Sequence, residues 1–192
     1  MNKAMRWTVG LAALAGLGGQ GWADTYAIDP AHSSVEFRVS HLVVSKTRGE
    51  FKQFGGWFEY DPQNHSVWTA SATIEAASID TRVEKRDAHL RGGDFFDVEK
   101  FPTLEFRSVA ARKGPAGRRQ LTGNLTLHGV TKPVVLELEE GGVTKDPWGG
   151  TRAGFTAKGK INRSEFGVTG GAAGMAVGEK VDIVIEIEGI KK

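Results

Sequence analysis

The chain has 192 residues, no cysteine, and 25 Lys+Arg against 23 Asp+Glu. Without thiols it can form no disulfide, thiolate nucleophile or cysteine metal site, so packing alone must hold the fold. Lys3 and Arg6 sit in a leader-like N-terminus; with these set aside, 23 cations balance 23 anions, and no basic tract survives to attract nucleic acid or an anionic membrane surface.

Lys3 and Arg6 precede an apolar run from Trp7 to Gly19, and Gly21-Trp22-Ala23 has the small-x-small form of a signal cleavage site. The run is short and rich in glycine for a bilayer span, which makes an uncleaved anchor the rival reading. These features predict export, with residues 1–23 removed and a single domain over residues 24–192.

Tyr26 to Ser34 reads as an extended lead-in. From Val35 the residues alternate, with Val35, Phe37, Val39 and His41 on one face and Ser34, Glu36, Arg38 and Ser40 on the other. That pattern belongs to a half-buried antiparallel strand. A second strand is expected from Gly49 to Tyr60, with a bulge or bend at Gly55-Gly56. In a third, near Val67 to Ala77, Trp68, Ala70, Ala72, Ile74 and Ala76 face inward, and the small alanines leave room inside a barrel.

Between Ser78 and Pro102 the period changes. Thr81 and Glu84 are spaced as a capping box, Val83, Ala88 and Leu90 can share a buried side, Asp87 and Arg91 are four apart, and Gly92-Gly93 ends the helix. Phe95, Phe96 and Phe101 follow among acidic residues. Arg86 has the chemistry to pair with an anionic headgroup; the stronger reading has Arg86, Asp87 and Asp94 fastening the helix to the sheet by ion pairs.

Alternation then resumes in segments Thr103–Ala111 (Leu104 and Phe106 inward), Gln120–His128 (Leu121, Gly123, Leu125, Leu127), Thr131–Glu139, Arg152–Asn162 (Phe155, Ala157) and Lys180–Gly189 (Val181, Ile183, Ile185, Ile187). Gly167 to Gly178, with five glycines, reads as a loop without helical or strand pattern, and Gly170 to Gly174 within it as a mobile rim loop. The sum is an all-β chain: an eight-stranded antiparallel barrel with one short helical connection, a two-sheet sandwich being the competitor.

Catalytic patterns are weak. No His-Glu-x-x-His spacing exists, so His41, His89 and His128 would have to converge through the fold to serve a metal-dependent or hydrolytic enzyme. Polar groups satisfied at strand ends, with no metal, is the stronger reading. Asp29, His32 and Ser33 are the residue types of a triad, but so close together they better suit a local turn.

Read in order, Tyr26-x-Ile-Asp-Pro-x-His-Ser-x-Val-x-Phe, Gly49-x-Phe-x-x-Phe-x-Gly56, Ser78-Ile-Asp-Thr81, Arg86-Asp-x-His-Leu90, Asp94-Phe-Phe-Asp97, Phe101-Pro102, Gly123-x-Leu-Thr-Leu-His-Gly-Val-Thr-Lys132, Arg163-Ser-x-Phe-Gly167 and Val177-Gly178 closely resemble the YceI-like family of exported bacterial proteins. The resemblance implies a lipocalin-like barrel that binds polyisoprenoids, including prenyl quinones, with no established catalytic activity and no cofactor beyond the lipid. It adds no nucleic-acid partner and no membrane span once the leader is gone, and leaves a homodimer open. The ligand-binding candidates are Phe37, Val39, His41, Phe58, Trp68, Ala70, Ala72, Ile74, Arg86, His89, Phe95, Phe96, Phe106, Leu125, Leu127, Phe155, Ile183 and Ile185.

Overall fold

The protein is described here by a computed structural model covering residues 23–64, 67–115 and 118–192. The expected leader, Ala23 apart, lies outside the described residues, as does His65. The strands are β1 (Asp24–Ile28), β2 (Ser34–His41), β3 (Ser45–Phe51), β4 (Phe54–Tyr60), β5 (Thr69–Glu75), β6 (Ile79–Asp80), β7 (Thr103–Lys113), β8 (Arg119–Leu127), β9 (Val130–Lys145), β10 (Thr151–Asn162) and β11 (Val177–Lys191), with helix α1 (Glu84–Arg91) between β6 and β7.

The sheet runs β1-β4-β5-β7-β8-β9-β10-β11-β2-β3-β6, and β1 also pairs with β11. β11 is long enough to pair with β2 over its first part and with β1 over its last. β1 and β2 are therefore two halves of one broken strand. The same holds for β3 with β4, and for β5 with β6 across a 3-10 turn at Ala76–Ser78. Counted that way the described residues make a closed barrel of eight antiparallel strands. Closure leaves every strand with two neighbours, which a sandwich does not.

The breaks are where the sequence reading needs correction. The expected lead-in is itself a strand: Tyr26 pairs with Lys191 on one side and Phe58 on the other and closes the barrel. Pro30, with no N–H to donate, interrupts it. Asp29 caps the resulting turn, accepting from the Ala31 N–H at 3.1 Å. The next strand breaks at Lys52-Gln53 and not at Gly55-Gly56, which stay in register with Thr73 and Ala72. Gly56 has φ +148, and a Cβ there would sit 2.1 Å from the Ser71 carbonyl oxygen. Its role is close approach of two backbones. Gly123, inward as expected, leaves no interior space: it lies under the Phe106 ring, 2.4 Å from where a Cβ would be.

At α1 the capping box does not form. Val83 occupies the N-cap in extended conformation without a side-chain bond, and Thr81 is turned into the protein. There its N–H and its hydroxyl both donate to Asp87 Oδ1, the former at 2.9 Å. Arg86 donates to the Thr81 hydroxyl and carbonyl, both at 2.7 Å, and Arg91 to the carbonyls of Ala77 and Ile79. The helix is thus fastened to β6 by charged hydrogen bonds to Thr81 and neighbouring backbone; among the described residues the expected ion pairs of Arg86, Asp87 and Asp94 do not hold it, and Asp87 and Arg91 do not pair. Leu90 is partly buried against the core, while Val83 and Ala88 are exposed.

The core falls into two clusters. One, beneath the helical connection, holds Val35, Phe51, Ile74, Leu125 and Phe166 among others; the second, towards the chain ends, holds Tyr26, Phe58, Trp68, Leu121 and Leu136. Among the described residues no helix is long and apolar enough to cross a membrane.

Candidate functional site: an apolar cavity inside the barrel

Alternation puts every second side chain of each strand inside, and closure brings these faces together. They do not fill the interior. A cavity of about 200 Å³ remains, walled by residues from both core clusters, and its exposed wall is entirely apolar. Eight of the chain's ten phenylalanines reach it. They pack against one another edge-on or tilted, as Phe51 does with Phe96 at 5.7 Å and with Phe37 at 5.9 Å.

Fourteen of the eighteen candidates stand on this wall. β2 supplies Phe37 and Val39, β4 Phe58, β5 Ala70, Ala72 and Ile74, and β7 Phe106. β8 supplies Leu125 and Leu127, β10 Phe155, and β11 Ile183 and Ile185, while Phe95 and Phe96 close the end beneath α1. Four stand elsewhere. Trp68 precedes the first residue of β5 and plugs the opposite end, its ring 4.5 Å from Tyr60 and 5.4 Å from Phe155. His41, expected inward, is the last residue of β2 and is exposed where the strand leaves the barrel. Arg86 is spent on Thr81. His89 is exposed, with Nε2 3.4 Å from Asp94 Oδ2.

Other wall residues were not read from sequence. Phe51 and Phe54 both face in, because the break at Lys52-Gln53 resets the alternation between β3 and β4. Arg163 is more consequential. It is 5% exposed and touches the cavity, yet its guanidinium turns to the rim loop. Nε donates to the Gly178 carbonyl at 3.0 Å. Nη1 donates to those of Val168 and Thr169, both at 2.7 Å, and Nη2 to Gly174 at 2.9 Å and Val177 at 2.8 Å. Five donors meet five carbonyls. The rim expected to be a mobile loop is thereby organised into 3-10 turns at Arg163–Phe166 and Gly171–Ala176. The signal in sequence was a lone arginine opening a glycine-rich stretch.

The catalytic alternatives do not assemble. Among the described residues the group close enough to share a metal is Asp29, His32 and Glu188, and His41, His89 and His128 form no such group. Arg152 donates to Asp29 Oδ2 at 2.9 Å and to Glu188 Oε1 at 2.5 Å, so a guanidinium already stands where a cation would be held. Ser33 Oγ donates to the Glu188 carbonyl at 3.2 Å and accepts its N–H at 3.0 Å, tying the turn to β11. It is not aligned on His32, which pairs with Asp29 at 2.9 Å.

At the same end of the barrel, Tyr60 donates to Glu140 at 2.8 Å, and burial followed by that bond pushes its phenol up to about 12. Hydrogen bonds from His32 and then Arg152 hold the Asp29 carboxyl below its ordinary value of 3.8, and Arg152 does the same for Asp146. Depressed carboxylates stabilise the fold above their unfolded pKa, and that contribution is lost as pH falls through the folded value. Arg152→Met should therefore lower Tm at neutral pH, with the gap to the native protein closing from about pH 4 downward. Thermal unfolding from pH 7 to pH 2 measures it, and a constant gap across the series would contradict this account.

A model of the YceI-like domain matches residues 26–189. The chain is 41% identical over 184 residues to the Protein YceI of Salmonella newport, covering 95% of each. In structure it is similar to the Campylobacter jejuni YCEI protein (TM-score 0.71, 33% identity, 80% of this chain and 90% of that one). It is also similar to Burkholderia cenocepacia BcnA (0.71, 25%, 84% and 98%). A polyisoprenoid binding domain from Saccharophagus degradans shares the fold at 14% identity (0.63, 90% and 100%). Barrel, ordered motifs and relatives agree, and the chain belongs to the YceI-like domain family.

Proposed function

We propose that the barrel binds a long polyisoprenoid or prenyl-quinone-like lipid and carries or sequesters it in the periplasm. The observation that carries this reading is the apolar cavity: a closed barrel keeps an unfilled interior whose exposed wall offers no polar atom. Such a wall suits a ligand that is nearly all methyl and methylene, each buried CH₂ contributing about 0.8 kcal/mol. A headgroup finds no partner along the wall and belongs at an end. The polyisoprenoid-binding description of the Saccharophagus domain supports the same class of ligand. The reading is of a binding protein, and the YceI-like family match together with the apolar wall support it.

Solvent extraction of the purified protein followed by mass spectrometry tests the proposal. A stoichiometric prenyl lipid, or uptake of added prenyl quinone, is expected; neither being found ends it. The mass of the exported protein also reports whether it begins at Asp24. Phe96, partly buried and edge-on to Phe51, closes the cavity beneath α1. Phe96→Ala should release bound lipid about tenfold faster while costing no more than about 3 kcal/mol of stability. Competition with a fluorescent prenyl probe gives the rate, and unchanged release would make Phe96 a structural plug.

A further inference from the structure

The end of the barrel that carries α1 also carries the β2–β3 hairpin, the β8–β9 turn and the 163–176 loop, as the strand registers require. Its outermost residues are apolar. Leu42, Val43 and Val44 are 60%, 96% and 85% exposed, and Met175 beside them is 91% exposed. The Leu42 N–H donates to the Ala176 carbonyl at 2.9 Å, so hairpin and loop form one surface. Directly behind it Val39 and Val177 enter the cavity wall.

The hairpin is built against its own turn chemistry. Val44 N–H bonds the His41 carbonyl at 3.2 Å, and the two central residues, Leu42 and Val43, have φ +49 and +64. A turn with both central φ positive favours Asn-Gly, and a β-branched residue there is unusual. Folding would be better served by other residues, and so would solubility. What the sequence provides is an apolar tip held outward at the end of the apolar cavity.

Exposed cations stand on segments at the same end, gathered from separate stretches and so invisible as a tract. Arg48 of β3, Lys180 of β11, and Arg82 and Lys85 at the start of α1 are exposed, and among the described residues none has an acidic side-chain partner. Glu84 and Glu179 stand among them, the latter 3.5 Å from Arg163. A protruding apolar tip with unpaired cations on segments at the same end is complementary to a bilayer surface with anionic headgroups.

We propose that the Leu42–Val44 hairpin, with Met175, inserts into an anionic phospholipid surface and presents the α1 end of the barrel to the membrane. The proposal builds on the lipid-binding reading, but its test uses vesicles without any isoprenoid, so the two can fail separately.

Protein beginning at Asp24, a barrel closed by its own first and last strands, is mixed with phosphatidylglycerol–phosphatidylethanolamine vesicles, and partitioning is measured by flotation. Leu42→Asn with Val43→Gly supplies the residues the turn favours while removing the apolar tip. Partitioning is expected to fall on the order of tenfold or more, with Tm equal or higher. Raised salt and phosphatidylcholine vesicles should each weaken binding of the native protein. Val44→Ser with Met175→Ser, which leaves the turn backbone untouched, should lose partitioning likewise. Native protein that does not bind the vesicles, or variants that bind as well as native, would overturn the proposal. So would a tip change that dissolves a native dimer with vesicle binding absent throughout, which would assign the surface to a second copy of the chain. Lipid extraction on the same preparations reports separately on the cavity.

Discussion

Arg163→Met should unfold with a free energy about 3–5 kcal/mol below that of the native protein, on the order of 10 °C in Tm. The loss should be concentrated at the α1 end of the barrel. Methionine keeps the bulk of the stem and removes all five donors. The carbonyls of Val168, Thr169, Gly174, Val177 and Gly178 would then have to find water, yet Val168 and Gly174 are buried. The damage would not stop at the loop. Gly170, in left-handed conformation at φ +77, donates its N–H to the Asp94 carbonyl at 2.7 Å and lies against the Phe95 ring. A loosened loop therefore frees one side of the segment that closes the cavity. Arg163→Lys keeps a charge, but its ammonium is a single point with three donors, so it should fall between the two. Urea unfolding gives the free energy, and amide exchange over residues 163–179 shows where it is lost. Equal stability of Arg163→Met and native protein would mean the loop holds itself.

The barrel was legible because alternation is a local signal: a strand with one apolar face declares it within a few residues, as Ile183, Ile185 and Ile187 do in β11. The wall was legible for the same reason, since the inward face of a barrel strand is the cavity face. What local patterning could not show was how broken strands rejoin. Tyr26 belongs to the barrel because of Lys191, its partner at the other end of the chain, and no nearby residue announces that. Phe51 escapes the pattern because a two-residue break puts it out of phase with Phe54 and Phe58. The capping box failed in the same way: Thr81 and Glu84 have the right spacing, but a six-residue reach to Asp87 inside the fold satisfies Thr81 better. Small residues misled most subtly. Gly123 and Ala72 look alike in sequence, yet Gly123 is filled by the Phe106 ring, whereas Ala72 borders open space.

That contrast leads to the sharpest test of the cavity. Ala70→Phe with Ala72→Phe places two rings on the β5 face of the wall, adding side-chain volume on the order of the whole cavity of about 200 Å³. Both alanines are only partly buried and border the void, so the rings have somewhere to go. Overpacking should cost at most about 1–3 kcal/mol, and filling the space should recover some of it. Lipid binding should fall on the order of a hundredfold or more, because ligand and rings compete for the same volume. The comparison with Phe96→Ala separates volume from closure. Removing Phe96 should speed release and leave the amount bound at saturation unchanged, whereas filling the wall at Ala70 and Ala72 should lower the amount itself. Extraction with mass spectrometry, with near-UV circular dichroism to confirm native packing, distinguishes the two. A filled barrel that still retained its lipid would place the ligand outside the cavity, and the apolar wall would then be only the lining of an imperfectly packed core.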